Sequence, residues 1–327
     1  MLHAIAKDPA MIMYLNNQQN KKDHPNENFA REVMELFTLG EGHYTEKDIK
    51  EAARAFTGWS HNKLWEYEFN EKVHDDGEKE FMGKKGNFNG NDIIDQLLEN
   101  KQTARYLCTK IYREFVNPIV NTNRVEILTE TFFSSGYDIS ILMRQLFTSD
   151  WFFEEENIGT KICSPVELIV RYKKTVGLEF KKQKTLIDLQ KALGQVLFFP
   201  PNVAGWKGGN SWIDSTSLLL RLNIPAYIVK GAGINLKVKP AFEEKAEEVI
   251  VEEDGGKIKS DWSALVNTFK DVPDEKLDDV LIEHFIQAGK ARINRELIKS
   301  NINRKSREHL VISLAGNIMS LPEFQLI

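Results

Sequence analysis

No run of about 18 apolar residues occurs in the 327-residue chain, so no segment is built to cross a bilayer as a helix. Cysteine is scarce. Cys108 and Cys163 stand alone, without a CxxC or CxxH pattern, which excludes a cysteine zinc site and allows at most one disulfide. Basic charge is not in excess either. With 43 Lys and Arg against 48 Asp and Glu, the formal net charge is −5, the wrong sign for a general nucleic-acid binder. The basic stretch from Arg171 to Lys184 reads as a solvated helix face. Nucleophile and phosphate signatures are missing: there is no GxSxG, GxxxxGK[ST] or GxGxxG. Ser60 to Lys63 fits S-x-x-K, but nothing accompanies so short a match, and Cys108 lies in an apolar helical stretch that suits a core thiol. The opening MLHAIAKDPA lacks the basic region, apolar core and cleavage site of a signal peptide. Leu2, Ile5 and Ala6 share a helix face there, as in the middle of a helix, so the natural start is expected upstream.

What is present is an ordinary globular composition, 42% hydrophobic and 28% charged, enough for one large domain or two smaller ones. After Pro25, Phe29, Val33, Leu36 and Phe37 fall in one arc at about 100° per residue, predicting an amphipathic helix that Gly40 stops. Thr45 and Asp48 form a capping-box pattern before a helix with Ile49, Ala52, Ala53 and Phe56 on one side. Between about 64 and 88 the texture alternates and is rich in aromatics, and Asp76-Gly77 is a hairpin dipeptide; two short strands are expected there. Helical patterns resume at Asp92 and continue through 102–116, 123–134, 138–149, 165–176, 184–198 and 215–229. The stretch FFPPNVAGWKGGNSW, 198–212, holds two prolines and three glycines and is not regular helix.

The fold class is therefore mainly α: a multi-helical body with one small β-hairpin and a long ordered Gly/Pro/Trp loop. Residues 1–239 are expected to form the main helical domain. An acidic connector at 240–257 and a small helical region at 258–327, packed on or linked to the main domain, complete the organisation.

Four stretches together carry a family likeness: PNENFAREVMELFTLGEGHYTEKDIKEAARAFTGW at 25–59, HDDGEKEFMGKKGNFNGNDIID at 74–95, PPNVAGWKGGNSWIDSTSLLLRLN at 200–223, and SLPEFQLI at 320–327. They resemble the bacterial domain-of-unknown-function family 1800 (DUF1800), in order and spacing over nearly the whole chain. The resemblance implies a largely helical fold and a further helical segment upstream with Trp, His and Phe residues. It also implies a partner, because genes of that family often neighbour those of an exported family with an alkaline-phosphatase-like look. It implies no reaction, substrate or cofactor.

Three candidate sites stand out. On the helix after Pro25, Asn28, Glu32 and Glu35 lie within about 60° of one another, and Arg31 is four residues from both Glu27 and Glu35. Clustered carboxylates hold a divalent cation through hard oxygens, or divide into acid and base if their environments differ; the plainer alternative is an ion-paired face with Arg31 neutralising two glutamates. At the expected hairpin, His74, Asp75 and Lys79 offer a general base or metal ligands, against the alternative of turn chemistry. In the loop, Asn202, Trp206 and Trp212 suit stacking on a sugar face or a partner, against the alternative of core plugs. Two functions follow. One is a helical platform that presents the loop and hairpin to a protein partner of alkaline-phosphatase-like fold. The other is a hydrolase using Glu27, Glu32 and Glu35 with Arg54, His74 and Asp75, with Glu32, Glu35, His74 and Asp75 as ligands if a divalent metal assists.

Overall fold

A computed structural model of the chain describes residues 1–231, 258–287 and 293–327. Among these residues there are fifteen α-helices, and strands occur only in three two-stranded antiparallel sheets. The protein is mainly α, as its periodicity predicts. The expected connector at 240–257 lies outside the described residues. The chain forms two compact units: residues 1–115 with 119–152, and residues 116–118 with 153–327. The division thus falls within the span expected as one main domain, and residues 258–327 share a core with 163–228.

In the first unit, helix Asn28–Glu35 buries Phe29, Ala30, Val33 and Met34, while Leu36 and Phe37 lie past its end and are half-buried. Gly40 closes the turn at φ +82°, its N–H reaching back to the Met34 carbonyl. The next helix, Glu46–Ala55, starts from the anticipated capping box: the Thr45 hydroxyl accepts from the Asp48 N–H, and the Asp48 carboxylate accepts from the Thr45 N–H. Phe29 and Phe56 meet edge-to-face at 5.0 Å, and Phe56 meets Trp59 at 5.1 Å. Burying each such ring contributes roughly 1.5–3 kcal/mol. Gly90, at the start of helix Gly90–Glu99, lets that helix approach the cluster: a Cβ there would sit 2.4 Å from Trp59 and 2.6 Å from Phe56.

Where one hairpin is expected at 64–88 two occur, the first opening ahead of that region at Trp59. Trp59–His61 pairs with Tyr67–Phe69, and Lys79–Phe81 pairs with Lys84–Gly86. Asp76-Gly77 turns neither of them. The tight turn of the second is Met82-Gly83, both at positive φ (48° and 80°), the backbone a two-residue hairpin requires.

In the second unit, helices Pro165–Val176, Ser215–Lys230 and Arg307–Met319 share one core. Pro225 lies inside its helix and has no N–H to offer the Arg221 carbonyl one turn back; the buried Tyr172 hydroxyl donates to that carbonyl instead, at 3.4 Å. The tail 320–327 is held by the Ile162–Leu326 bridge and by Arg171, which donates to the Phe324 and Leu326 carbonyls. The expected helix at 184–198 ends at Leu193, where Gly194 takes φ +90°. Cys108 and Cys163 are both buried free thiols.

Candidate functional site

The three candidate groups occupy three separate places. On helix Asn28–Glu35, Arg31 donates twice to Glu46, at 2.9 and 2.8 Å, and once to Glu27 at 3.2 Å. Its expected pairing with Glu35 is not formed. Glu46 starts the neighbouring helix and offers both carboxylate oxygens to the guanidinium fork, a geometry that one glutamate a turn away does not match. Glu35 instead accepts from the Tyr44 hydroxyl at 2.9 Å. Asn28 is structural: its amide donates to the Leu15 carbonyl at 3.0 Å. Glu32 makes none of these bonds. Burial, then the Glu35 charge, pushes its carboxyl above the usual range, with Arg31 opposing. Burial and the bond to Glu35 likewise push the Tyr44 phenol up. Tyr106 and Lys110, on helix Lys101–Phe115, complete this corner. The Tyr106 phenol is raised by burial and by Glu35, and the Lys110 ammonium lies 5.0 Å from the Tyr106 ring centre. Neither residue carries a sequence signal, because only helix packing brings them to Glu35.

The second group is built around Arg54, which faces the segment between the two hairpins. It binds Asp75 through two bonds, Glu51 through its Nη1 at 2.9 Å, and the Glu78 carbonyl at 3.2 Å. The Arg54 guanidinium holds the Asp75 carboxyl below its usual range. Asp75 also accepts from the Gly77 N–H at 2.9 Å, an Asx turn that explains the Asp-Gly sequence without a hairpin. Lys79 is buried, 1% exposed, and donates to the carbonyls of Asp75 at 2.5 Å and Gly77 at 3.0 Å. Burial pushes its ammonium below the usual lysine range. His74 is buried too. Its Nδ1 lies 2.8 Å from the Thr57 carbonyl, which only accepts, so Nδ1 carries the proton. The Thr57 hydroxyl accepts from the Asp75 N–H and donates to the Arg54 carbonyl, locking the segment to the helix end.

Among the described residues, no hydrogen bond or ion pair joins Glu32 or Glu35 to His74 or Asp75. No three His, Cys, Asp or Glu side chains there are arranged to hold a metal ion.

The third group is the loop of the second unit. Pro201, Asn202, Trp206, Lys207, Ser211 and Trp212 contribute to the walls of a cleft of about 320 Å³. Trp212 is buried at 9% exposure, so the core-plug alternative holds for it; Trp206 is half-buried. The Asn202 side chain accepts from the Ala204 N–H and braces the loop at 3.0 Å. Gly205, Gly208 and Gly209 all take positive φ. Beside the cleft, Leu197, Phe198, Phe199 and Val203 face solvent, with Phe198 96% and Phe199 73% exposed. This stretch is pinned from behind: the Leu197 N–H donates to the Gln190 side chain and the Phe199 N–H to the Val196 carbonyl, both at 3.0 Å. Phe198 sits at φ +63°, an uncommon place for a bulky residue. Sequence reasoning passed over this pair; the signal was two aromatics set directly before two prolines.

The molecule so defined is a helical protein of two units, with an ion-paired polar face on the first and an ordered aromatic loop on the second. Its sequence matches the family model described as protein of unknown function (DUF1800) over residues 1–326, and the chain belongs to that family. No curated protein and no solved structure matches it.

Proposed function

We propose that the chain is a binding protein that presents the loop 194–214 to a protein partner. The observation that carries this reading is the adjacent pair Phe198 and Phe199, 96% and 73% exposed on a hydrogen-bonded stretch in which Phe198 takes a left-handed backbone. Soluble proteins rarely expose large aromatics side by side unless a partner covers them. The Arg54–Asp75 pair and the buried His74 are occupied in structural bonds, which favours a platform over a catalytic set. The first partner to test is the exported alkaline-phosphatase-like protein that the family's gene neighbourhood suggests. Isothermal titration of the two purified proteins is expected to give saturable binding, lost in Phe198→Ser/Phe199→Ser while circular dichroism stays unchanged. Equal binding by that variant, or none by the wild type, overturns the reading.

A second reading, a hydrolase built on Glu27, Glu32 and Glu35, is favoured by one observation. Glu32 and Glu35 stand in different environments on one helix face, Glu32 pushed toward its protonated form and Glu35 bonded to Tyr44. It requires turnover of phosphate, ester or glycoside substrates by the wild type that Glu32→Gln abolishes.

A further inference from the structure

We infer that the cleft beside the exposed phenylalanines is a binding site for a neutral carbohydrate, on the same loop 194–214 as the Phe198–Phe199 pair that carries the partner reading. Its volume, about 320 Å³, falls at the lower end of the range for small-molecule sites. Two indoles and Leu193 give the walls an apolar body. Around them stand the Asn202 amide, the Ser211 hydroxyl and the Lys207 ammonium, each exposed. Indoles with scattered donors and acceptors match a pyranose, which has apolar C–H faces and a rim of hydroxyls that donate and accept at once. The charge balance argues against an anion. Among the described lining residues Lys207 is the only base and Asp214 the only acid, whereas phosphate or carboxylate recognition gathers several cations.

The cleft is also formed in advance. Ser215–Lys230 begins at Asp214, whose carboxylate accepts from the Thr216 and Ser217 N–H groups, and the Ser217 hydroxyl donates to the Trp212 carbonyl at 3.1 Å. Trp212 is thereby tied to a helix start, while Trp206 sits on the glycine-flanked part of the loop and stays half-exposed. A wall set before the ligand arrives costs little ordering on binding. The arrangement assigns Trp212 to holding the shape and Trp206 to stacking on the ligand.

The test is isothermal titration of the full chain against cellotetraose, chitotetraose and maltotetraose, with inorganic phosphate and acetate as anionic probes. One of the neutral sugars is expected to saturate, and neither anion to do so. Trp206→Ala should weaken binding about tenfold or more, the scale of one aromatic contact, with Trp206→Phe recovering part of it. Asn202→Asp, which keeps the oxygen that accepts from the Ala204 N–H and loses the amide donor, should also weaken it, with the melting temperature unchanged. Phe198→Ser/Phe199→Ser should bind the sugar as the wild type does, so failure of the partner reading and of this one are told apart. Saturation by phosphate or acetate instead, no saturation by any neutral sugar, or unchanged affinity in Trp206→Ala overturns the inference.

Discussion

Arg54 clasps Asp75 with both arms of its guanidinium, Nε to one carboxylate oxygen at 2.7 Å and Nη2 to the other at 3.2 Å, across 21 residues of chain. Both side chains are mostly shielded, 27% and 17% exposed. The pair ties the segment between two hairpins to the helix that precedes them. Arg54→Ala should therefore cost about 2–3 kcal/mol, because it strands a half-buried carboxylate as well as losing charged hydrogen bonds. Arg54→Lys should recover little, since a point charge cannot reproduce the fork. Urea unfolding of the three proteins measures this, and an Arg54→Lys variant as stable as the wild type counts against it.

The same pair has a pH signature. Asp75 titrates lower in the folded chain than its ordinary 3.8, chiefly through its bond to Arg54. Its stabilising contribution is complete above the unfolded value and is lost as pH falls through the depressed folded one. The gap between wild type and Arg54→Ala should be full at neutral pH and close below about pH 4. A gap that stays constant down to strong acid would show that the arginine acts by packing alone.

Glu32 behaves in the opposite sense. Its folded value is raised above the ordinary 4.5 by burial and by Glu35, so the fold is least penalised while the carboxyl is protonated. That benefit is present below the unfolded value and is lost as pH rises through the folded one. Glu32→Gln should accordingly raise the urea midpoint at neutral pH and change it least near pH 4. A variant less stable than the wild type at neutral pH would mean that the charged form is the one the fold favours.

Two glycines separate crowding from backbone strain. Gly90→Ala places a methyl 2.4 Å from Trp59 and should cost about 1–3 kcal/mol by overpacking. At Gly208 nothing lies within 4 Å of a built Cβ, but φ is +73°. Gly208→Val should cost a similar amount, about 1–3 kcal/mol, from backbone strain alone. Shortening the Trp59 side chain should then relieve Gly90→Ala and leave Gly208→Val unchanged, a distinction that double-mutant unfolding reads directly.

The two loop indoles should differ in accessibility. Trp206→Phe is expected to remove more iodide-quenchable fluorescence than Trp212→Phe, and Trp212→Phe to lower the melting temperature more. The reverse order would place Trp212, not Trp206, at the open side of the cleft.

Much of the fold was legible from residues close together in the chain. The Thr45–Asp48 capping box and the Phe29/Val33 stripe act within a few residues, and they determined a helix start and a buried face whatever lies beyond, while the helix itself ends at Glu35, short of Gly40. The count of hairpins was not legible, since Asp76-Gly77 serves an Asx turn under Arg54 and the working turn is Met82-Gly83. Side-chain partners were decided by tertiary structure. Spacing offered Arg31 two glutamates one turn away, but the packing of the next helix brought Glu46, whose two oxygens fit the guanidinium better than Glu35 does. The division into two units was likewise beyond the sequence, because it depends on segments far apart in the chain meeting; the cleft is built within 193–217, but its shape follows from how that loop folds back on the helix start at Asp214. Periodicity is a property of neighbours along a helix; which face meets which is set only when the whole core packs.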